Sequence, residues 1–209
     1  MKIDKAHVEL VSNTDYDEML KVNELAIRNC YRSGDKIAYG SAEKIVRAII
    51  KSGHEAMIEF ASATFSVRTD RAIANQIVRH RLANYAQEST RYCNYTKDKF
   101  DKTISFIEPM NLSEEARAEW SKSCHEAEKH YFSMIESGCK AEQARSVLPL
   151  CTATTLYVNM NMREIRHFLS LRLDSHAQID VQLIARQLLQ IVHDNYPVYV
   201  EDLWEKYGK

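Results

Sequence analysis

Residues 61–81 read ASATFSVRTDRAIANQIVRHR and carry two different periodicities in succession. The first part alternates strictly, with its apolar side chains at Ala61, Ala63, Phe65 and Val67. A two-residue period predicts a strand with one buried face. From Asp70 the apolar residues follow helical spacing, and this helix is expected to run into the basic cluster Arg79-His80-Arg81.

The rest of the chain is rich in helix-forming segments. Only five glycines and three prolines interrupt it, which favours long helices. Before residue 61 we predict an edge strand over 2–11, a helix capped by Thr14 or Asp15 with Met19, Val22, Ala26 and Cys30 on one face, and a helix over 41–53. After Arg81 we predict a polar loop, a strand at 104–109, a long helix opened by Ser113 and a short helix through Arg145. The last elements predicted are a strand over 152–160, a helix over 162–173, and two helices separated by Pro197. Strands and helices do not alternate regularly, which favours an α+β fold.

Composition excludes several classes of protein. The net charge of −1 argues against a general nucleic-acid binder, which needs excess lysine and arginine. The first residues, MKIDKAHVEL, lack an apolar signal core, and no segment approaches the roughly 18 apolar residues of a membrane span. The five scattered cysteines contain no CxxC pair, so we expect reduced thiols rather than disulfides or a zinc site. We therefore expect a cytoplasmic protein with no membrane segment.

An arginine-rich segment at 79–92 is the first candidate site. It contains Arg79, His80, Arg81, Ser89 and Arg91. Arginine presents a planar fork of donors that matches phosphate oxygens, so this segment suits a nucleotide phosphate. A solvated basic helix end is an equally simple interpretation of the segment taken alone.

A second arginine-rich segment at 161–178 makes a binding site the better interpretation. Arg163, Arg166 or His167, and Ser170 recur at helical spacing, while the expected packing face carries Ile165, Phe168, Leu169 and Leu171. Arg172 stands between Leu171 and Leu173, and an unpaired guanidinium in a mostly buried element is costly. Local helix termination and an ion pair between Asp174 and an arginine would explain the presence of Asp174. They explain Arg172 less well, and a bound ligand could compensate its charge.

Together these segments resemble the flavin-dependent thymidylate synthases. The family signature is Arg-His-Arg, seven residues, Ser, and an arginine two positions later, as in Arg79-His80-Arg81, Ser89 and Arg91. Supporting motifs, in the family's order, are Gly53-His54-Glu55 with Glu59, Gln76, residues 144–149 (ARSVLP) and the stretch 163–178 that ends in SHAQ. The resemblance implies one domain over residues 1–209 with a central, mostly antiparallel sheet.

The resemblance also implies an activity and its site residues. Family members methylate dUMP with methylenetetrahydrofolate as carbon donor and FAD, reduced by NADPH, as hydride donor. Arg172 would be the catalytic residue facing uracil. The other implied dUMP ligands are Gln76, Arg79, Gln87, Glu88, Ser89, Arg91 and Arg145. The implied flavin and folate positions are His54, Glu59, Arg79, His80, Arg81, Asn161, Arg163, His167 and His176. Homotetramers with shared active sites are implied, with no metal.

Several observations keep alternatives open. The sequence departs from the common family pattern at Asn84, Ala86, Ala56 and Phe60, all on the expected flavin side. The departures at Ala86 and Asn84 leave an inactive homologue that keeps the fold and nucleotide pocket as one alternative. A regulatory nucleic-acid module using the helix with Arg163 is another. A zinc-protease reading of His54-Glu55 fails because Ile58 stands where the second histidine is required. Cys93 has no evident histidine base, which argues against a cysteine nucleophile.

Overall fold

Residues 1–11 and 14–208 are described by a computed structural model of the chain. Its strands are β1 (Lys2–Asp4), β2 (His7–Leu10), β3 (Ser62–Asp70), β4 (Ala83–Gln87), β5 (Ser105–Ile107) and β6 (Ala153–Asn161). Its α-helices are α1 (Tyr16–Cys30), α2 (Ser41–Lys51), α3 (Arg71–Ile77), α4 (Glu114–Glu136), α5 (Ala141–Ala144), α6 (Met162–Arg172), α7 (Ile179–Asn195) and α8 (Glu201–Tyr207). The 3₁₀ turns cover Gly34–Lys36, Glu55–Phe60, Asp98–Phe100, Arg145–Val147 and Pro197–Tyr199.

The larger sheet is antiparallel, with the strand order β2-β3-β6-β4. A second sheet pairs β1 with β5 in parallel, in the register Lys2↔Ser105, Ile3↔Phe106 and Asp4↔Ile107. The single edge strand predicted over 2–11 is therefore wrong in one respect, because it divides into two strands of different sheets. The two strands are separated by Lys5 and Ala6, where the Lys5 N–H donates to Asp4 Oδ1 at 2.9 Å.

The predicted strand over residues 61–67 is confirmed as β3. Its four apolar positions are each at most 2% exposed, as the two-residue period predicts. The change from strand to helix occurs at Asp70, whose Oδ1 accepts the Ile73 N–H at 2.7 Å and so satisfies an amide of the first helical turn. Helix α3 ends at Ile77, and the basic cluster follows it in a turn.

Strand β4 occupies the segment predicted as a polar loop after Arg81, so that prediction is wrong. Its polar side chains find partners on β6: Asn84 Nδ2 donates to Asn159 Oδ1 at 3.5 Å, and Gln87 Nε2 donates to Thr154 Oγ1 at 3.3 Å. Cross-strand hydrogen bonds of this kind stabilise a polar segment as an edge strand, although the strand propensity of its residues does not predict one.

Helix α1 begins as predicted, with Asp15 Oδ1 accepting the Glu18 N–H at 3.0 Å. Its buried face differs from the predicted one, because Val22 is exposed while Asn23 and Glu24 are buried. Asn23 donates to the Met57 carbonyl at 2.8 Å and accepts the Tyr199 hydroxyl at 2.6 Å. Buried polar side chains that are fully hydrogen-bonded in this way can replace apolar ones.

The chain divides into two compact units. The first contains residues 1–7, 67–77 and 86–156, and the second contains 8–66, 78–85 and 157–209. In the first unit, Cys124 and Tyr131 of α4 are buried in one cluster with Ile104 and Phe106. The second unit buries one face of α7, at Val181, Ile184, Ala185, Leu188, Leu189 and Val192. The expectation of one domain over 1–209 stays a prediction.

Candidate active site

The first candidate cleft, the α6 cleft, lies in the second unit and measures about 500 Å³. Helix α6 begins here because Asn161 Oδ1 accepts the Glu164 N–H at 2.8 Å, which caps the helix and turns its first residues toward the cleft. The lining residues are Glu55, Glu59, Arg81, Leu82, Asn161, Arg163, Glu164, Arg166, His167, Ser170 and Leu203. Five residues predicted for the cofactor therefore meet in one place: Glu59, Arg81, Asn161, Arg163 and His167.

A second cleft, the histidine cleft, measures about 460 Å³ and shares Arg81 and His167 with the first. It is lined by Arg79, His80, Arg81, His167, Leu171 and Arg172. Arg172 Nε donates to His80 Nε2 at 2.9 Å. The inference that Arg172 lacks a protein partner is therefore wrong, since the imidazole supplies one that is distant in sequence. The catalytic candidate and the Arg-His-Arg motif nevertheless belong to the same cleft.

His80 is uncharged near neutral pH. Burial disfavours the imidazolium, and the positive charge of Arg172, followed by His167, adds to this effect, so that the pKa of His80 falls to about 4. The ring is 5% exposed and packs edge-on against Phe168 at a centroid distance of 4.8 Å. The Tyr85 hydroxyl donates to the His80 carbonyl at 3.0 Å. These contacts hold the imidazole as a fixed acceptor for Arg172.

Three side chains of this region could share a metal ion. His80, Glu164 and His167 each offer a ligand atom, and these atoms lie within 4.8 Å of one another. The guanidinium of Arg172, bonded to His80, repels a second cation at this position. The charge of Arg172 therefore disfavours a metal ion at this cluster.

Arg163 and Glu59, both predicted for the cofactor, form an exposed ion pair in which Arg163 Nη1 lies 2.5 Å from Glu59 Oε1. Exposed pairs of this kind contribute less than about 1 kcal/mol, so a ligand can displace the carboxylate at small cost. The Arg163 guanidinium is therefore available to an anion.

Arg166 has a structural role instead of the ligand-facing one suggested by its spacing. It is buried and donates to Glu55 Oε1 at 2.9 Å, to both Asp202 oxygens at 2.6 and 2.8 Å, and to the Tyr199 carbonyl at 2.7 Å. Its charge is thus satisfied within the chain. The predicted packing face of α6 also needs correction at Leu171, which is 49% exposed.

Asp202→Asn is expected to flatten the dependence of folding stability on acid pH. The hydrogen bond from Arg166 holds the pKa of Asp202 below its usual 3.8. A depressed pKa contributes stability that is present above the unfolded-state pKa and is lost as the pH falls through the folded-state value. Urea unfolding in steps from about pH 6 to pH 3 measures this effect.

The control for this prediction is Asp98→Asn, which changes an exposed aspartate 3.5 Å from Lys102. Its unfolding free energy should follow the wild-type pH dependence. Parallel curves for Asp202→Asn and wild type would contradict the assignment of the acid dependence to Asp202.

Two predicted cofactor residues do not join these clefts. His54 is exposed and lines a separate cleft of about 330 Å³ together with Cys30, Ala56 and Met57, which shares Glu55 and Arg163 with the α6 cleft. The side chain of His176 is 94% exposed, with Nδ1 2.8 Å from Asp174 Oδ1. In the structure, His176 therefore lies in the exposed turn between α6 and α7, outside the linings of the α6 and histidine clefts.

The first unit brings together the residues predicted to bind phosphate. Ser89 Oγ accepts the Arg91 N–H at 3.3 Å, and Arg145 Nη1 donates to Thr90 Oγ1 at 3.4 Å. Arg91 Nε donates to Glu142 Oε2 at 3.0 Å, on the helix that leads into Arg145. Both guanidiniums are exposed. Ser89, Arg91 and Arg145 therefore form one basic surface, here called the Arg91 surface.

The other predicted nucleotide residues of this unit face elsewhere. Glu88 accepts the Tyr95 hydroxyl at 3.2 Å and lies 3.5 Å from Arg68, and it lines a cleft of about 440 Å³ with both. The lining of that cleft includes none of the three residues of the Arg91 surface. Gln87 bonds to Thr154, as described above, and Gln76 is half-buried in α3.

Cys93 is poorly suited to act as a nucleophile. Burial, and then the negative charge of Glu88, raise the pKa of its thiol above the usual value of 9.0. The thiolate is the nucleophilic form of cysteine, so this environment keeps Cys93 unreactive. The observation agrees with the absence of an activating base near Cys93 in the sequence.

Sequence reasoning assigned no role to Glu164 or to Arg68. Glu164 is buried beside the histidine cleft, and its position between Arg163 and Ile165 in the second arginine-rich segment was the available signal. Arg68 follows the alternating part of β3, where an arginine after a buried strand was a weaker signal; it donates to Asp4 Oδ2 at 3.1 Å and to Thr155 Oγ1 at 3.2 Å.

Comparison with known proteins adds independent information. A family model described as thymidylate synthase complementing protein matches residues 9–198. A flavin-dependent thymidylate synthase from Pyrococcus furiosus is 32% identical over 177 residues, which cover 84% of this chain and 72% of that protein. A protein of the same name from Geobacter sulfurreducens is 31% identical over 185 residues, covering 85% and 79%.

A solved structure supports the fold. The UMP/dUMP methylase PolB from Streptomyces cacaoi, bound with 5-Br dUMP, aligns with a TM-score of 0.81 over 100% of this chain and 98% of that chain. At 24% identity this likeness concerns the fold alone, and it agrees with the predicted α+β class. Within residues 1–11 and 14–208, no helix has the length and apolar character needed to cross a membrane.

Proposed function

The chain belongs to the flavin-dependent thymidylate synthase family, and we propose that it catalyses the reductive methylation of dUMP to dTMP. Methylenetetrahydrofolate is the carbon donor in this proposal, and FAD reduced by NADPH is the hydride donor. The observation that carries it is the position of Arg172, which lines one cleft with all three residues of the Arg-His-Arg motif. Family membership supports the type of reaction, and the grouping of these residues in one cleft supports the proposed location of the active site.

The residues of the second unit fit a flavin dinucleotide. FAD carries a diphosphate, and Arg79, Arg81 and Arg163 are exposed guanidiniums at the two adjoining clefts. Arginine suits such an anion because its fork of donors matches phosphate oxygens. We assign Asn161, His167 and Glu59 to the same cofactor site, with His54 and His176 at its folate side. The flavin, when bound and reduced, supplies the hydride.

We assign the dUMP phosphate to the Arg91 surface. A phosphate monoester carries between one and two negative charges near neutral pH, and two exposed guanidiniums with a serine hydroxyl offer it several charge-assisted hydrogen bonds. Gln76, Arg79, Gln87 and Glu88 complete the nucleotide site in this proposal. Glu142 competes for Arg91 in the absence of substrate, as the 3.0 Å ion pair indicates.

Arg172 is the catalytic residue in this proposal. The uracil ring gains negative charge as its C5 becomes nucleophilic, and a guanidinium facing the ring stabilises that charge. Neutral His80 holds Arg172 without neutralising it, because an imidazole nitrogen accepts a hydrogen bond and carries no negative charge. The guanidinium therefore keeps its full charge for the substrate.

We propose a cytoplasmic homotetramer with active sites shared between subunits. Leu82 and Tyr92, which follow Arg81 and Arg91 in sequence, are large and well exposed. Exposed apolar and aromatic side chains beside functional residues are typical of protein–protein interfaces. Sedimentation velocity of the purified protein measures the assembly.

The departures from the family pattern bear on flavin binding. Asn84 is engaged with Asn159 on β6, Phe60 is exposed at the end of the turn Glu55–Phe60, and Ala56 lines the cleft of His54. Ala86 offers no side-chain hydrogen bond, so any contact made there in relatives must come from another residue. An inactive homologue is the second candidate function, and the departures at Ala86 and Asn84 favour it.

The test of the proposed function begins with the absorbance spectrum of the purified protein. FAD uptake, NADPH-driven flavin reduction that responds to dUMP, and dTMP formation with methylenetetrahydrofolate are the expected results. Flavin binding without dTMP would favour the inactive homologue. Colourless protein that takes up no FAD and carries nucleic acid at low salt would favour the regulatory module.

Arg91→Ala is expected to raise the KM for dUMP by about 10-fold or more, because it removes charge-assisted hydrogen bonds to the phosphate. Glu142→Gln should lower this KM, since it frees Arg91 from its ion pair. Steady-state kinetics at fixed flavin and folate concentrations measure both effects.

Arg117→Ala is the matched control for Arg91→Ala. Arg117 is exposed to a similar degree and forms a comparable ion pair with Glu108 in the same unit. Its removal should leave the KM for dUMP unchanged. A similar KM increase in both variants would assign the effect to general surface charge.

A further inference from the structure

Glu164 is a carboxylate that lies buried beside His80. Its side chain lies in the first turn of α6 and is 7% exposed. Among residues 1–11 and 14–208, no group makes a hydrogen bond to its Oε1 atom. Burial raises the pKa of this carboxyl group, which reflects the cost of desolvating it. Such a group calls for a functional explanation.

A candidate donor to this oxygen is the imidazole of His80. His80 Nδ1 lies 3.4 Å from Glu164 Oε1, just outside a good hydrogen bond. The other ring nitrogen, Nε2, accepts the N–H of Arg172 at 2.9 Å. A guanidinium only donates, so Nε2 must be the unprotonated nitrogen of the neutral ring. The proton of His80 therefore sits on Nδ1 and points toward the carboxylate.

We infer that Glu164 is a positioning residue that acts on Arg172 through His80. Its carboxylate favours the tautomer with the proton on Nδ1 and fixes the orientation of the ring. Nε2 then remains an acceptor, and the Arg172 guanidinium is held at the histidine cleft. The inference rests on the proposed function, because it assigns Glu164 to the reaction in which Arg172 takes part. Hydrogen bonds of this kind are often long in a ligand-free protein and shorten in the complex.

The other groups around His80 are differently engaged. Tyr85 donates its hydroxyl to the His80 carbonyl. His167 is close, with its ring centroid 5.8 Å from that of His80, but it is exposed and solvent can serve it. Arg172 occupies Nε2. Glu164 is thus the acceptor left to the Nδ1 proton.

Two substitutions separate this role from simple packing. Glu164→Leu keeps a similar volume but removes the acceptor, and kcat should fall by about 10- to 100-fold, as is typical when a supporting partner of a functional histidine is lost. The KM for dUMP should stay unchanged. Glu164→Gln should retain most of the activity, because its amide oxygen still accepts the Nδ1 proton.

Thermal stability distinguishes a positioning role of Glu164 from a structural one. Removing a buried carboxylate with one unsatisfied oxygen should leave the Tm of Glu164→Leu unchanged or raise it. A stable variant with low kcat supports the positioning role, whereas a kcat loss that follows a loss of folded protein overturns it. The control is Glu205→Leu, which alters an exposed glutamate of α8 and should change neither quantity.

Nitrogen-15 NMR of histidine-labelled protein tests the tautomer without any turnover. His80 should be protonated on Nδ1 in the wild type, and Glu164→Leu should show a mixture of tautomers. A wild-type His80 protonated on Nε2, or a Glu164→Leu variant with wild-type kcat, would overturn the inference. A wild type that forms no dTMP but shows the Nδ1 tautomer would count against the proposed function and leave the His80 geometry standing.

Discussion

Arg172→Ala will lower dTMP formation by about 100- to 1000-fold while leaving the absorbance spectrum of bound FAD intact. This is the typical loss when one donor that stabilises transition-state charge is removed. The flavin should stay bound because Arg79, Arg81 and Arg163 remain. Product formation under saturating substrates and a flavin titration measure the two properties separately.

Two further variants sharpen this prediction. Arg172→Lys keeps a positive charge but loses the planar fork that reaches both His80 and a substrate, so it should restore only part of the activity. Arg186→Ala removes an exposed arginine of α7 that contacts the Tyr207 carbonyl, and it should have wild-type activity. Turnover of Arg172→Ala near the wild-type rate would show that another group stabilises the uracil charge.

Arg166→Met will lower the free energy of unfolding by about 3 kcal/mol, at the low end for breaking a buried ion pair. The substitution leaves the Tyr199 carbonyl and the carboxylates of Glu55 and Asp202 without their donor. The loss should stay at the low end because Asp202 is partly exposed and water can solvate it. Urea unfolding monitored by circular dichroism measures the change.

The matched control for this variant is Arg47→Met. Arg47 binds Glu201, the residue beside Asp202, through two hydrogen bonds of 2.6 and 2.7 Å, but its side chain is exposed. Exposed pairs are worth less than about 1 kcal/mol, so this variant should be nearly as stable as the wild type. Equal losses in the two variants would mean that burial does not set the strength of these contacts.

Local patterns were sufficient for many elements of the fold. Strand β3 followed from its two-residue period, and α1 and α4 begin at the predicted capping residues Asp15 and Ser113. The chemistry of these features lies within a few residues of the chain. The arginine-rich segments and their order were likewise readable, and they predicted the family that the comparisons later supported.

Other features depended on partners distant in sequence. The polar sequence of β4 predicted a loop, but its side chains form hydrogen bonds with β6. The buried face of α1 includes Asn23 because Met57 and Tyr199 satisfy its hydrogen-bonding groups. Periodicity reads only hydrophobic burial, so it misses polar groups that are buried and paired.

The amino-acid sequence was enough to predict which residue types would carry the chemistry, because motif order and spacing are properties of the chain alone. It could not show that Arg166 is an internal cation bound to Asp202, or that Arg172 is held by a neutral His80. Those assignments depend on which groups share a buried space, since burial and contact set both the charge of an imidazole and the partner of a guanidinium. The packing of α6 against α8 decides the first assignment, and the packing of α6 against the turn at residues 79–81 decides the second.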